Sequence, residues 1–255
     1  MGKKERRPAL VVSESRGQRR LHIGGDAIQS AMRVAEPDAL ALDYTRCMMG
    51  FLLFHPVPIE VMMIGLGGGS LAKFFYRQLP TARLRVVEYD PRIAVAARDH
   101  FHLPPEGPRL RVEIGDGAQS LEPDSCDTLV VDGFDDGDQV AGLASTDFYD
   151  SAYLALKDRG VMVVNYLADD RLLDQYLLRL EHSFSGAVIC LPALSDPNVI
   201  AFAFKGVEEK ISWKDLRVRA RRLEGVLGLP FSRYVARLKK MNQWDRGGLR
   251  LGVDS

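Results

Sequence analysis

The sequence predicts an α/β fold with a Rossmann-like, mostly parallel sheet of seven strands. Apolar, strand-like runs alternate with helix-like segments through the middle of the chain. Such alternation is typical of a parallel sheet that is covered by helices on both faces. The first strand and helix of this series are joined by the glycine-rich turn Gly65-Leu66-Gly67-Gly68-Gly69, and two apolar runs with a short connection close the series. These observations together predict five parallel strands followed by an antiparallel hairpin.

A short β segment and one helix are predicted ahead of the sheet. Two strand-like runs, Ala9–Ser13 and Arg20–Ile23, flank a polar turn. Apolar residues at helical spacing then predict a helix over Asp38–Phe54, which the following prolines end.

The predicted parallel strands are Glu60–Ile64, Leu84–Glu88, Leu110–Ile114, Thr128–Asp132 and Gly160–Tyr166. The helices predicted between and after them are Ser70–Leu79, a segment from Pro91 to about His102, Thr146–Leu156 and Asp170–Phe184. The closing hairpin is predicted from Ala187–Leu191 and Val199–Phe204, and basic amphipathic helices are predicted over Trp213–Leu227 and Ser232–Met241.

These elements divide the chain into three predicted parts. Residues 1–36 form a short amino-terminal β segment, and 37–206 form the Rossmann-like domain that carries the glycine-rich turn. Residues 207–255 form a basic, helical carboxyl-terminal extension, whose charges are interpreted as a solvated helix face rather than a partner site.

Composition argues against several classes of protein. Among the 255 residues, 46% are hydrophobic and 27% charged, as in ordinary globular proteins. The formal net charge is zero, so no overall field favours nucleic acid or an anionic membrane. The longest apolar stretch, Met48–Val57, is interrupted by Gly50, His55 and Pro56 and is too short to span a bilayer. The three widely spaced cysteines predict buried free thiols in a reducing compartment, and hence a cytoplasmic protein.

The order strand, glycine loop, helix, strand and acid over Val61–Asp90 predicts a nucleoside site. Glycines let the backbone approach a ligand closely, and the helix amino terminus behind them is electropositive. Glu88, at the tip of the second strand, is placed to accept both hydroxyl groups of a ribose. It follows Gly69 by 88 − 69 = 19 residues, close to the roughly 20 expected for such sites. The alternative is a glycine turn that joins strand to helix without a ligand.

Three successive predicted strands end in or before an acidic residue, namely Glu88, Asp116 and Asp132. Ligands of open α/β sheets bind at the carboxyl ends of the strands. One carboxylate therefore suits a ribose, one an adenine amine, and one an ammonium group or an amine proton. For Asp116, a turn residue between two glycines is the alternative interpretation.

The loop 132–138 holds four aspartates in seven residues. Beside a nucleoside site, it predicts a negative pocket for a cationic substrate, in which Asp132 or Asp135 takes a proton from an attacking amine. The alternatives are a solvated acidic loop and a divalent-metal site. No fixed ligand spacing supports a metal, and none is expected.

Several segments follow one another in a specific order along the chain: Gln29 in DAIQSAM, His55-Pro56-Val57-Pro58, VMMIGLGGGS, VVEYD, IGDG and VDGFDD. From about Gly24 to Phe204 the chain thereby resembles the spermidine synthase family, the polyamine aminopropyltransferases. Members carry an entering glutamine, an H-P-x-P-like segment, V-L-I-I-G-G-G-D-G-G, an acid after the second strand, G-D after the third and D-S-T-D-P after the fourth. The resemblance implies the seven-stranded sheet of class I S-adenosylmethionine-dependent transferases.

The resemblance also implies roles for individual residues. Decarboxylated S-adenosylmethionine, or S-adenosylmethionine itself, would be the co-substrate. Gln29 and Glu88 would contact its sugar or thioether part, and Asp116 its adenine amine. Asp132 would deprotonate a small-molecule amine acceptor, with Asp135 binding ammonium groups. The remaining cofactor-binding positions would be Gly65, Gly67, Gly69 and Gly117. A homodimer is implied, without nucleic acid or membrane as a partner.

The chain departs from the family pattern at the aminopropyl and acceptor side. Gly68 stands where the family has the acid of its glycine loop, and Asp136 replaces a proline. Residues 193–197 replace a tyrosine-proline-serine segment, and Tyr44 stands near the family's tyrosine before the first strand. Two alternative functions therefore stay open, a methyltransferase on the same sheet and a non-catalytic nucleoside-binding protein.

Overall fold

The computed structural model describes residues 8–25, 28–135, 138–206 and 210–252, without the side chains of 134–139. The chain begins with a three-stranded antiparallel meander, β1 (Leu10–Ser15), β2 (Gln18–Ile23) and β3 (Ile28–Arg33). A short helix, α1 (Asp43–Met48), and a 3₁₀ turn, Met49–Leu53, lead into the sheet.

The central sheet is formed by β4 (Glu60–Ile64), β5 (Arg83–Glu88), β6 (Leu110–Ile114) and β7 (Cys126–Val131), by β10 (Leu156–Leu167), and by the hairpin β11 (Val188–Pro192) and β12 (Asn198–Phe204). The small hairpin β8 (Phe134–Asp135) and β9 (Asp138–Gln139) follows β7. The strand order is β11-β12-β10-β7-β4-β5-β6. Strands β4 to β7 and β10 pair in parallel, and β12 pairs antiparallel with β10 and β11. The predicted seven-stranded sheet with a closing hairpin is therefore confirmed.

Helices cover both faces of this sheet: α2 (Ser70–Gln78), α3 (Pro91–His100), α4 (Thr146–Ala155), α5 (Leu173–Ser183), α6 (Trp213–Leu227) and α7 (Phe231–Arg237). A last hairpin, β13 (Lys210–Ser212) and β14 (Gly248–Arg250), flanks α6. Alternate residues of β4 show how the two layers form. Val61 and Met63 join a core shared with α2, α3, α6 and α7, whereas Met62 and Ile64 join a second core with α4 and α5.

Several elements differ from the sequence prediction, and the short strands β8, β9, β13 and β14 were not predicted. Strand β3 was not predicted, because it lacks strand-forming alternation and is held by packing of Ser30–Met32 instead. The helix predicted over Asp38–Phe54 begins only at Asp43 and tightens to a 3₁₀ turn from Met49. A Cβ atom on Gly50 would lie 3.1 Å from side-chain atoms of Leu191 and Phe202. Glycine weakens an α-helix at this point. Strand β10 begins at Leu156, with a register shift before Val161.

The basic helices α6 and α7 are largely as predicted, with Lys214, Arg217 and Arg221 exposed. Two of their arginines have a structural role instead. Arg219 donates from Nη1 to the carbonyl oxygen of Leu53 at 2.9 Å, and Arg237 donates from Nε to that of Pro192 at 2.8 Å. These bonds fasten the carboxyl-terminal helices to the end of the 3₁₀ turn and to strand β11.

The cysteines Cys47, Cys126 and Cys190 are buried free thiols, as predicted, and burial raises the pKa of each to about 12. Within the described ranges, the longest helices are too short or too polar to cross a membrane.

Lys73 of α2 is a buried cation next to the glycine loop, with 1% of its surface exposed. Its Nζ donates to the carbonyl oxygens of Pro37 at 2.6 Å and Phe101 at 2.8 Å, and contacts the Met32 sulfur at 3.2 Å. It thus joins α2 to β3, to the segment before α1 and to the end of α3. Burial lowers the pKa of Lys73 from 10.5 to about 8, against the smaller opposing effect of Asp38.

We predict that Lys73 makes stability depend on pH between about 8 and 10.5. In this window the unfolded lysine still binds a proton that the folded one has released, so stability rises with pH. Denaturant unfolding of the wild type and of Lys73→Met across this window measures the difference in their free energies of unfolding at each pH. The wild type should gain stability relative to the variant as pH rises. Lys214→Met, which alters an exposed lysine, should show no such trend, and a flat difference for Lys73→Met would contradict the prediction.

Candidate active site

The glycine loop Gly65–Gly69 connects β4 to α2 and touches the ends of the neighbouring strands. Gly65, Gly67 and Gly69 have φ values of 91°, 53° and 71°, in the left-handed region that glycine tolerates. A Cβ atom on Gly65 would overlap the carbonyl oxygen of Asp132. The loop therefore lies directly against the backbone at the end of β7, which brings two predicted site segments together.

Gly68 lies in the tightest part of the loop. A Cβ atom there would be 2.8 Å from Ser30 Oγ and 2.9 Å from a ring carbon of Phe101. The acid that the family pattern places here has no room unless these neighbours move. The loss of that acid is thus accompanied by close packing of the β3 strand and of Phe101 against the loop.

Glu88 is buried at the end of β5, with 5% of its surface exposed. Its Oε2 accepts the N–H of Leu66 at 2.9 Å, and its Oε1 accepts that of Asp90 at 2.8 Å. Burial raises the pKa of Glu88, and these backbone donors act in the opposite direction. The carboxylate fixes the glycine loop to β5, and each oxygen keeps a second lone pair for a ribose hydroxyl.

Asp116 is exposed and caps a short 3₁₀ turn after β6. Its Oδ1 accepts the N–H of Ala118 at 2.9 Å, and its Oδ2 accepts the Gln119 side-chain amide at 3.1 Å. The turn role that the sequence left open is therefore present, and the adenine contact stays a prediction. The neighbouring Gly117 packs against Ile64, where any Cβ atom would overlap that side chain.

Gln29 lies half-buried on β3 beside Ser30, whose side chain contacts the glycine loop. A Cβ atom on Gly67 would be 3.6 Å from that of Ser30 and 4.0 Å from the Gln29 carbonyl oxygen. The segment that carries Gln29 is thus close to the loop, as the donor role requires. The contact of its side chain with a donor remains a prediction.

Asp132 follows β7 directly, and its carboxylate is held on both oxygens. Tyr44 on α1 donates its hydroxyl to Oδ2 at 3.3 Å, and Asn165 on β10 donates its amide to Oδ1 at 2.9 Å. Burial raises the pKa of Asp132, and both donors oppose that rise. The arrangement gives a partly desolvated carboxylate in a fixed orientation, which is what a general base needs.

Asp135 belongs to the β8–β9 hairpin, whose backbone is described. The side chains of 134–139, and residues Asp136 and Gly137 altogether, lie outside the described part of the chain. The ammonium-binding role of Asp135 and the negative pocket over 132–138 therefore stay predictions.

Sequence reasoning missed Asn165 and Asn198, and matched Tyr44 only by its approximate position. Asn165 is 2% exposed, and its Oδ1 accepts the Asn198 side-chain amide at 2.9 Å. The signal was a single amide inside the apolar strand Gly160–Tyr166, at the end that meets the site. A buried polar residue in such a run needs a partner, and here the partner is Asp132.

The loop 193–197 and the start of α1 hold each other through two aspartates. The backbone N–H of Tyr44 donates to Asp196 Oδ2 at 2.9 Å, and that of Ser195 donates to Asp43 Oδ2 at 2.7 Å. The segment that departs from the family pattern therefore supports Tyr44, and through Tyr44 the carboxylate of Asp132.

Comparison with known proteins decides the family. The chain is 40% identical over 247 residues to the polyamine aminopropyltransferase of Chromobacterium violaceum, covering 96% of this chain and 95% of the relative. The chain belongs to the polyamine aminopropyltransferase family. The resemblance inferred from the motifs is thereby confirmed, although no protein-family model matches the chain.

Two solved structures share the fold of this polyamine aminopropyltransferase family member. One is a probable spermidine synthase from Corynebacterium glutamicum, with a TM-score of 0.69 and 22% identity over 94% of this chain and 93% of that one. The other is human methyltransferase-like protein 13 in complex with SAH, with a TM-score of 0.66 and 22% identity over 81% and 96% of the two chains. At this identity the likeness supports the α/β fold alone.

We predict that Glu88→Gln weakens the binding of methylthioadenosine. The substitution removes the charge and turns an amide N–H toward one of the backbone donors that Glu88 accepts. Loss of charge-assisted hydrogen bonds costs about 1.5–3 kcal/mol, or roughly 10- to 150-fold in affinity. Titration calorimetry of methylthioadenosine binding to the wild type and the variant measures this loss of affinity.

The matched control is Glu113→Gln, which alters an exposed glutamate on the neighbouring strand β6. That variant should bind methylthioadenosine like the wild type. Equal affinity of all three proteins would remove Glu88 from the nucleoside site.

Proposed function

We propose that the protein transfers an aminopropyl group from decarboxylated S-adenosylmethionine to a small-molecule amine. The observation that carries the proposal is the position of Asp132. Its backbone touches the glycine loop at Gly65, and its carboxylate is held by Tyr44 and Asn165. A proton acceptor therefore lies at the edge of the predicted nucleoside site, as a transfer between a nucleoside and an amine requires.

The nucleoside side of the donor is assigned to the strand ends. Glu88 would accept the ribose hydroxyls, and Asp116 the adenine amine. Gln29 would contact the sugar or the thioether, with Gly65, Gly67, Gly69 and Gly117 allowing the backbone to approach. The supporting observation is that Glu88 already fixes the loop through Leu66, so the cradle is ordered before a ligand arrives. Pre-organisation of this kind lowers the cost of binding.

The transfer itself is a single displacement. The amine nitrogen forms a bond to the aminopropyl carbon, the bond from that carbon to sulfur breaks, and the electron pair leaves with methylthioadenosine. The proton lost by the amine passes to Asp132. The residues contribute orientation and charge rather than covalent chemistry. Asp135 is proposed to bind the distant ammonium group of the acceptor, which makes diamines such as putrescine the first substrates to test.

Methyl transfer from S-adenosylmethionine is the second candidate, favoured by Gly68. A carboxylate at this position would attract the amine of a decarboxylated donor and repel the carboxylate of S-adenosylmethionine. Ser30 and Phe101 lie so close to Gly68 that such a side chain would require them to move. The donor side of the site thus lacks the one charge of the family pattern that would select against the carboxylated nucleoside.

Calorimetry with three nucleosides separates the candidates: decarboxylated S-adenosylmethionine, S-adenosylmethionine and methylthioadenosine. The proposal expects the decarboxylated donor to bind and to give methylthioadenosine when putrescine is added. Methyl transfer to another acceptor, without aminopropyl transfer to any diamine or polyamine, would establish the second candidate. Binding without either reaction would leave a nucleoside-binding protein.

Other assignments rest on the resemblance or on composition. A homodimer and the absence of nucleic-acid or membrane partners are proposed for the protein, as is a cytoplasmic location. The buried free thiols support a reducing compartment.

We predict that Asp132→Asn lowers the turnover of aminopropyl transfer by about 100-fold or more, because it removes the proton acceptor. Methylthioadenosine affinity should stay close to that of the wild type, since other residues are proposed to make the nucleoside contacts. Since burial raises the pKa of Asp132, activity of the wild type should fall with acid from a higher pH than an ordinary aspartate would give.

Asp124→Asn is the control, because Asp124 is an exposed aspartate ahead of β7 that pairs with Lys205. It should retain full turnover. An Asp132→Asn enzyme with wild-type turnover would show that another group, or water, takes the proton.

A further inference from the structure

Asn198 lies at the start of β12, next to the loop 193–197, and does not touch the Asp132 carboxylate itself. It is buried, with 8% of its surface exposed. Its Nδ2 donates to Asn165 Oδ1 at 2.9 Å, and Asn165 Nδ2 donates to Asp132 Oδ1 at 2.9 Å. Two amides in series therefore connect the closing hairpin to the predicted base.

The two hydrogen bonds run in one direction, from Asn198 through Asn165 to Asp132. An asparagine amide carries an acceptor on one side and donors on the other. Because Asn198 offers a donor to Asn165, the Asn165 oxygen faces Asn198 and its NH₂ group faces Asp132. With the Asn165 amide turned over, its oxygen would face the carboxylate and repel its ionised form. A donor at position 198 is thus compatible with the Asn165 orientation that favours the ionised form of Asp132.

The position of Asn198 is itself fixed by the surrounding backbone. The carbonyl oxygen of Asn198 accepts the N–H of Ala193 at 2.8 Å, which closes the loop. Asn198 pairs with Leu167 of β10, and the carbonyl oxygen of Pro197 accepts the N–H of Ala168 at 2.9 Å. The backbone that carries the Asn198 side chain is therefore fixed by sheet pairing on one side and by the loop on the other.

We propose that Asn198 is a positioning residue that acts through Asn165 to hold Asp132 in its ionised, proton-accepting orientation. The catalytic consequence rests on the proposed function, whereas the effect on Asp132 itself does not. Among the described residues, the titratable groups that face Asp132 or its hydroxyl partner are Tyr44 from α1 and Asp196 from the loop. Neither is altered by the change described next.

Asn198→Asp provides a nearly isosteric reversal of the series. The new carboxylate accepts but does not donate, so Asn165 would turn its NH₂ group to position 198 and its oxygen to Asp132. The protonated form of Asp132 is then stabilised, because its O–H group can donate to that oxygen. The ionisation of Asp132 should move to higher pH by about one unit or more.

A double-mutant cycle distinguishes an effect relayed by the Asn165 amide from the direct electrostatic effect of a new negative charge. Asn198→Asp is made in the wild type and in an Asn165→Ala background. If Asn198→Asp acts through Asn165, it raises the pKa of Asp132 strongly when Asn165 is present and only slightly in the Asn165→Ala background. An equal shift in both backgrounds would mean that the charge acts through space and would overturn the proposal.

The readout is the carbon-13 resonance of labelled aspartate carboxyl groups, with the Asp132 signal assigned by its loss in Asp132→Asn. The measurement requires neither the aminopropyl donor nor the amine acceptor, so it decides the proposal even if the protein transfers no aminopropyl group. If it does transfer one, the acid limb of the kcat/KM profile should move by the same amount, with KM for the nucleoside unchanged.

Asn242→Asp is the matched control, because the Asn242 side chain bonds only the backbone of Cys190 and Leu238 among the contacts described. It should lower stability without moving the Asp132 titration. Should Asn198→Asp fail to fold, Asn198→Ala removes the donor without adding charge, and a smaller upward shift is expected. An unchanged Asp132 titration in a folded Asn198 variant would overturn the proposal.

Discussion

The register of β4 against its two neighbours is the constraint on which the site depends. Ile64 pairs with Val87 on one side and with Val131 on the other, so the three strands end at one level. The residues that follow β4 and β7 then form backbone hydrogen bonds with the ends of the neighbouring strands. Gly65 donates to the Val87 carbonyl oxygen at 2.9 Å, and Asp132 donates to that of Ile64 at 3.0 Å. A slip of one residue turns the alternating side chains to the wrong face. Between β4 and β5 it would separate Glu88 from the glycine loop, and between β4 and β7 it would separate Asp132 from that loop.

A second part of the site comes from segments that are far apart in the chain. The start of α1 and the loop before β12 hold each other through Asp43 and Asp196, across 152 residues of sequence in each case. The residue ahead of α1, Leu42, offers no side-chain cap, so Asp196 performs that role from the loop. The segment that departs from the family pattern thus supports Tyr44, and Tyr44 and Asn165 converge on Asp132.

The parallel strands and the glycine loop were predictable because their signals are local. An apolar run that ends in glycines, with an acid after the next run, indicates both the fold and the position of Glu88. Strand β3 was not predictable in this way, since Ser30 and Ala31 are buried by contact with the loop rather than by their own pattern. Asp132 was predicted from its place after a strand. Its hydrogen-bond partners lie 88 and 33 residues away, at separations that no local pattern encodes.

The proposed transfer makes two opposing demands on Asp132. Its carboxylate must be basic enough to take a proton from the amine, and it must still be ionised when the amine binds. In water, moving a proton from an alkyl ammonium of pKa near 10.4 to an aspartate of pKa near 3.9 is uphill by roughly 9 kcal/mol. Burial raises the pKa of Asp132 and so reduces this gap, but a large rise would leave the carboxyl group protonated before an acceptor binds. Tyr44 and Asn165 oppose the rise and so favour the ionised form. The site therefore combines desolvation, which would make the predicted base stronger, with two donors that favour its charged form. The closing hairpin controls one of those donors through Asn198, so a change far from the donor nucleoside can set the pH at which the reaction begins.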